Sequence, residues 1–255
     1  MFRNVIVRRP SRSMIEGITT SPELGTPDYE LALRQHDQYI EAMRACGAEV
    51  TVLPAMEEYP DSCFVEDVAV VTPQFAIITN PGAASRNGEK AHIVEALRRF
   101  YSAEQIHSID EGTLEGGDVM QVGSHFYVGL SKRTNEAGVR SFERIISRYG
   151  MHCTAVPLST VLHLKTGMVY LDGDNMLVSG EFIDRPAFAG YHKTVIAPEE
   201  AYAVNCLWVN GKVIVPAGFP KTEEAVRALG YETILVDTSE YRKIDGGLSC
   251  LSLRF

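Results

Sequence analysis

Short apolar runs recur along this chain, each followed by a loop carrying glycine, proline, serine or arginine, and the regularity of the recurrence predicts the elements. The runs are Val5-Ile6-Val7 before Arg8-Arg9-Pro10, Ile77-Ile78 before Asn80-Pro81-Gly82, Tyr127-Val128 before Gly129, Leu177-Val178 before Ser179-Gly180, and Val213-Ile214-Val215 before Pro216-Ala217-Gly218. Most of these loops lead into a helical pattern. Tyr29, Ala32, Leu33, His36, Ile40 and Met43 repeat at helical spacing, with Thr26-Pro27 as cap and first turn and Gly47 as stop. Thr134 introduces another helix, with Phe142, Ile145 and Ile146 inward and Gly150 as its stop, and Thr222 introduces one with Val226 and Leu229 before Gly230. The second repeat has its helix near Glu89 to Phe100. The fourth, around Asp184 to Lys193, is too short and proline-broken for more than a turn or two.

Each helix is followed by a second extended segment, as in Val50 to Pro54, Thr154 to Val156 and Thr233 to Val236, and then by a polar loop leading to a third strand. The third strands begin near Asp67, Asp118, Gly167, Asn205 and Gly247, anchors that lie 51, 49, 38 and 42 positions apart. The short third gap matches the missing helix. A strand-helix-strand-strand unit repeated five times tiles the whole chain, and units that cannot bury an apolar face alone are stabilised by their neighbours. No polar capping repeat stands at either end, so a closed ring fits better than an open solenoid. The expectation is one α/β domain over residues 1–255. In such a ring the polar loops converge, which brings together Glu66 and Asp67, Glu115 and Asp118, His163, Asn205 and Cys250.

Composition narrows the partners. The 255 residues are 45% hydrophobic and 22% charged, with a formal net charge of −9. An acidic chain without a basic stripe has no nucleic-acid footprint, and its natural partners are small or cationic. No apolar run reaches the roughly twenty residues of a membrane helix, and the start lacks the long apolar core of a signal peptide, so a cytoplasmic location is expected. Cys46, Cys63, Cys153, Cys206 and Cys250 are odd in number and never form a C-x-x-C pair, so neither a disulfide framework nor a structural metal is expected. The first four read as small core residues, and Glu199-Glu200 and Glu223-Glu224 as solvated faces.

The convergent set is chemically informative. A cysteine thiolate is a strong nucleophile, and a histidine moves protons near neutral pH. Carboxylates beside them oppose thiolate formation, and they make sense when the substrate is itself a cation, so that Asp67 and Glu115 each hold a planar guanidinium. Arg86 and Arg133 stand at corresponding loop positions and suit a carboxylate. Carboxylates at one end and arginines at the other complement arginine.

The stretches Asp61-Ser62-Cys63-Phe64-Val65-Glu66-Asp67, Glu115-Gly116-Gly117-Asp118, Leu162-His163-Leu164-Lys165-Thr166-Gly167 and Lys243-Ile244-Asp245-Gly246-Gly247-Leu248-Ser249-Cys250 resemble the dimethylarginine dimethylaminohydrolase family, its bacterial form in particular, over the length of the chain. The resemblance implies a five-bladed α/β propeller with pseudo-fivefold symmetry, from the guanidine-modifying superfamily. It implies Cys250 as nucleophile, His163 as general acid/base, and Glu115 as the carboxylate that holds the guanidinium and supports proton transfer. Asp67, Glu66 and Asp61 belong to the substrate loop, Arg86 and Arg133 match the α-carboxylate site, and Ile18 and Ile244 match backbone contacts to the amino-acid end. The implied reaction converts methylated L-arginine to L-citrulline through a cysteine thiouronium, with no metal or organic cofactor. The implied partner is this small molecule, and a homodimer is left open. The rivals are an arginine deiminase-like or other guanidine hydrolase, and a non-catalytic arginine-binding protein.

Overall fold

The computed structural model describes every residue from Met1 to Phe255, and its strands form five three-stranded sheets. In chain order the strands are β1 (Asn4–Arg8), β2 (Glu49–Leu53), β3 (Ala69–Val71), β4 (Ala76–Ile78) and β5 (Ile106–Ser108). They continue as β6 (Val119–Val122), β7 (His125–Leu130), β8 (His152–Pro157), β9 (Met168–Tyr170) and β10 (Asn175–Val178). The last are β11 (His192–Val195), β12 (Leu207–Val209), β13 (Lys212–Pro216), β14 (Glu232–Val236) and β15 (Leu253–Arg254). The chain divides into two compact units, one formed by Met1–Val65 with Asn205–Phe255 and the other by Glu66–Val204.

All five sheets share one pairing scheme. The central strand (β1, β4, β7, β10 or β13) pairs in parallel with the strand that follows it and antiparallel with a third. A parallel pair requires a crossover, which is where the helices of the sequence repeat fall. The third strand of each sheet comes from the preceding repeat, so the repeat in the chain and the sheet in space are offset by one strand. The first unit contains the sheets β15-β1-β2 and β12-β13-β14, and the second contains the other three. Central strands are buried on both faces, which is why they read as continuous apolar runs, whereas β2 and β14 are exposed or half-buried up to their last residue.

The helices start slightly away from the expected caps. Asp28, whose side chain accepts the Leu31 N–H at 2.9 Å, caps Tyr29–Ala45 instead of Thr26. Asn135 caps Glu136–Ile146 because the Thr134 hydroxyl is buried and accepts the Glu115 N–H. Pro220–Ala228 begins at its proline, with Thr222 inside the first turn. The expected helix near Glu89 to Phe100 is a 3-10 segment, Asn87–His92, followed by a single α turn, Val94–Leu97. His36 lies on the apolar stripe of the first helix and is buried, with its pKa pushed down to about 4 chiefly by that burial. Glu200, expected on a solvated face, is buried in the turn Pro198–Val204, while Glu199 is exposed.

A short helical turn precedes each third strand: Val65–Val68, Gly116–Asp118, Leu164–Gly167, Pro198–Val204 and Ser249–Leu251. The polar residues expected at the start of the third strands therefore lie on or beside turns. This corrects the fifth repeat, where the strand is Leu253–Arg254 and not the segment from Gly247. The side chain of Asn205 accepts the Ser249 N–H at 2.8 Å and donates to the Ser249 hydroxyl at 3.0 Å, taking the donor that a strand ladder would need. In the first unit Tyr39, Met43, Tyr241, Leu248 and Leu251 form the centre of one core. In the second, one cluster gathers Phe75, Phe126, Phe142 and Ile146, and another gathers Met120, Met168, Met176 and Phe182.

Gly138, in the first turn of Glu136–Ile146, offers a test of packing against propensity. Alanine would ordinarily favour a helix over glycine by about 1 kcal/mol, but a Cβ here would run into the Thr113 carbonyl. Gly138→Ala is expected to lower the urea midpoint, with overpacking costing about 1–3 kcal/mol. A midpoint equal to or above that of the parent would show that helix propensity governs this turn.

Candidate active site

Three of the helical turns in the second unit bring together the residues read as reactive. Asp67 lies on Val65–Val68, Glu115 immediately precedes Gly116–Asp118, and His163 immediately precedes Leu164–Gly167. The imidazole Nε2 of His163 is 2.7 Å from Glu115 Oε2. Glu115 is fully buried, and its Oε1 accepts the N–H groups of Gly82 at 3.0 Å and Ala83 at 3.2 Å. Asp67 accepts the Gly117 N–H at 3.0 Å and an Arg86 N–H at 2.5 Å. Gly117 is required at close quarters, because a Cβ there would lie 2.8 Å from His163 Nδ1 and 2.9 Å from Asp67 Oδ1. Its neighbour Gly116 leaves room for the Glu66 carbonyl in the same way.

The basic residues are tied into this cluster, against the carboxylates and not at an opposite end from them as the sequence suggested. Arg86 donates Nε and one terminal nitrogen to the two oxygens of Glu89, at 3.0 and 2.9 Å, and its other terminal nitrogen to Asp67. A 3-10 turn places residues three apart over one another, which creates this fork. Arg133 is 3.5 Å from Glu115 Oε1. Glu66 is buried and accepts from Lys165 Nζ at 2.7 Å. Asp67, Glu115 and His163 offer three ligand-type atoms within 4.8 Å of one another. The positive groups beside the two carboxylates are guanidinium and imidazole.

Charge and burial set the protonation states. Burial opposes a charge on His163, yet Asp67, the Glu115 hydrogen bond and Asp118 outweigh it and push its pKa up to about 9. His163 is therefore an imidazolium at neutral pH. Burial likewise opposes the Asp67 carboxylate, and Arg86, His163 and the Gly117 N–H outweigh it, so its pKa falls below the usual value. Asp118 shifts the other way, upward, because burial dominates its hydrogen bonds.

The first unit holds the other residues that the sequence singled out. Asp61 is buried and accepts the Ile18 N–H at 3.0 Å. A Cβ on Gly17 would lie 3.1 Å from both Asp61 Oδ1 and Ile244 Cγ2, so these three segments meet around that glycine. Cys250 is half-buried on the turn Ser249–Leu251, with its N–H on the Gly247 carbonyl at 3.2 Å. Among the other cysteines, burial pushes the Cys153 thiol up to about 11 and raises those of Cys46 and Cys206. These three are poor nucleophiles.

Residues 26–214 match the family model described as N,N dimethylarginine dimethylhydrolase, eukaryotic. The N(G),N(G)-dimethylarginine dimethylaminohydrolase of Pseudomonas aeruginosa is 51% identical over 255 residues, all of both chains. The chain belongs to the dimethylarginine dimethylaminohydrolase family. A solved structure of the Pseudomonas aeruginosa family member, a cysteine-to-serine variant complexed with citrulline, superposes with a TM-score of 0.98 at 50% identity over 100% of both chains. A histidine-to-glycine variant of a dimethylarginine dimethylaminohydrolase, present as its adduct with S-methyl-L-thiocitrulline, gives 0.97 at 50% identity, again over 100% of both chains. The fold is the five-bladed α/β propeller of this family.

Within this family member the structure brings Asp67, Glu115, His163, Arg86 and Arg133 together in one unit, and Asp61, Ile18 and Ile244 together in the other. Glu66 stands one residue from Asp67 and faces Lys165. Sequence reasoning missed Glu89 and Lys165. The spacing of Arg86 and Glu89 was a usable signal once a 3-10 turn was considered. Lys165 had none, since its partner lies 99 positions away.

The raised His163 pKa has a sign that can be checked. A proton held more tightly in the folded state stabilises it fully below the unfolded value near 6.5, and this contribution is lost as pH rises toward 9. His163→Gln keeps a donor but does not titrate, and is expected to flatten the decline of the urea midpoint between those pH values. Identical slopes in parent and variant would contradict the assigned imidazolium.

Proposed function

We propose that this protein hydrolyses Nω-methylated L-arginine to L-citrulline, releasing dimethylamine or methylamine. The observation that carries the reading is the buried cluster of Asp67, Glu115 and protonated His163, in which two carboxylates have positive groups as partners and an acidic imidazolium stands beside them. That arrangement suits recognition of a guanidinium and protonation of its leaving amine. The family's cysteine variant with citrulline and its histidine variant trapped as a thiocitrulline adduct support the same residue types as reactive groups.

In the proposed sequence Cys250 reacts as a thiolate, its proton lost to solvent because His163 already carries one; the sulfur bonds to the guanidinium carbon, and His163 gives its proton to the departing methylamine as the C–N bond breaks. The product is a thiouronium on Cys250. Neutral His163 then takes one proton from water as the oxygen bonds to the same carbon, the C–S bond breaks to return the thiolate, and the second proton of that water passes to solvent, leaving neutral citrulline. Glu115 holds the imidazole and balances its charge. Asp67 takes the guanidinium, with Glu66 and Asp61 shaping the substrate loop and Ile18 and Ile244 offering backbone groups to the amino-acid end. Arg133 and Arg86 receive the α-carboxylate, Arg86 being oriented for this by Glu89.

Two measurements test the reading. Citrulline formation is followed side by side from arginine, monomethylarginine and asymmetric dimethylarginine, with Cys250→Ser as a variant that binds substrate and does not turn it over. Preference for unmethylated arginine, or undiminished citrulline from the serine variant, would sink it. For recognition, Arg133→Ala is expected to weaken methylarginine more than an alkylguanidine lacking the α-carboxylate, by about 2–5 kcal/mol as for a truncated charged hydrogen bond. Equal losses would assign Arg133 to the fold.

A further inference from the structure

The proposed chemistry asks His163, Glu115 and Arg133 to keep fixed relations, and one buried carboxylate outside that set touches the segments that carry all three. Asp118 is fully buried. Its Oδ1 accepts the N–H of Leu164, the residue after His163, at 3.0 Å, and its Oδ2 accepts the Ser131 hydroxyl at 2.7 Å. The Ser131 oxygen receives the N–H groups of Arg133 at 3.0 Å and Thr134 at 3.1 Å. The Thr134 hydroxyl receives the Glu115 N–H at 3.1 Å. Gly129 leaves the space, since a Cβ there would lie 2.7 Å from Asp118 Oδ1.

We propose that Asp118 is a positioning residue that fixes His163 and Arg133 relative to Glu115. The inference rests on the roles given to those residues under the proposed function. The hydrogen-bond inventory demands a carboxylate at this point. Both lone pairs of Ser131 Oγ are used by backbone donors, so its single proton must go to an acceptor, and the Leu164 N–H at the start of its turn needs another. Asparagine supplies one acceptor and turns a donor toward the other partner, so one arm breaks whichever way the amide sits. Asp118 also adds negative charge beside His163, together with Asp67 from its own turn and Glu115, with Arg86 and Arg133 behind those carboxylates. Burial without these donors would be prohibitive for the anion.

The experiment compares the full-length parent with Asp118→Asn and Ser131→Ala. Steady-state kinetics are measured with methylarginine, and the His163 ring is titrated by NMR, its resonance assigned with His163→Gln. Ser131→Ala cuts the contacts to the Arg133 and Thr134 N–H groups but leaves Asp118 on Leu164 and Glu115 on the Thr134 hydroxyl, and is expected to raise KM several-fold while leaving kcat and the His163 titration in place. Asp118→Asn removes the charge as well, and is expected to raise KM, lower kcat and move the His163 midpoint down by roughly one pH unit. A folded Asp118→Asn protein with parental KM and parental midpoint overturns the proposal. If that variant shows no cooperative unfolding transition, Ser131→Ala decides: parental KM overturns the role, and raised KM with an unmoved midpoint upholds it. A parent that forms no citrulline sinks the functional reading and the kinetic half of this proposal. The NMR midpoint reads the contact with His163 regardless of turnover.

Discussion

The second unit depends on one constraint: a carboxylate taken out of water must be given donors. Asp67, Glu66, Glu89, Glu115 and Asp118 are all buried there. An unpaired charge in such surroundings is untenable, and removing one partner of a buried pair commonly costs about 3–5 kcal/mol. The donors come from Arg86, Lys165, His163 and Ser131, and from the backbone N–H groups of Gly82, Ala83, Gly117 and Leu164. Helical turns before the third strands serve this need directly, because a turn's first N–H groups have no partner of their own. The acidic cluster and the local backbone are thus two sides of one requirement.

That requirement also ties electrostatics to chemistry. Under the proposed function the carboxylates meet a cation, and in this structure His163 and Arg86 meet their charge. His163 is held as an imidazolium by the carboxylates around it, so under the proposed function the acid assigned to the leaving amine is charged before the substrate arrives. Gly117 makes this possible by having no side chain between Asp67 and the imidazole.

The repeat was legible because each central strand is buried on both faces and so appears as an unbroken apolar run. Which strands pair was less legible. The chain lists first, second and third strands in order, while the sheets join the third strand of one repeat to the first of the next, and hydrophobicity alone contains no sign of that offset. Cys250 and His163 stood out by chemical type and repeat position. The turn that carries Cys250 did not, because it is made by the side chain of Asn205, which takes a backbone donor that local sequence would assign to a strand. Glu89 and Lys165 were hidden for the opposite reason, since charged residues usually face water and only their partners reveal that these two are inside.

The pairing of β15 with β1 joins Arg254 to Val5 and Leu253 to Ile6. The second unit is contiguous, so every strand of its three sheets is available once residue 204 has been synthesised. The first unit is split around it, and its opening sheet lacks an edge until almost the last residue appears. During synthesis the run Val5-Ile6-Val7 must wait beside an incomplete sheet with one ladder unfilled, the condition in which a strand is most open to pairing with another chain. Long loops cost little extra at equilibrium but delay the contact in time. The connectivity thereby lets the sheets of the second unit be complete in the chain before β15 can close the sheet of β1.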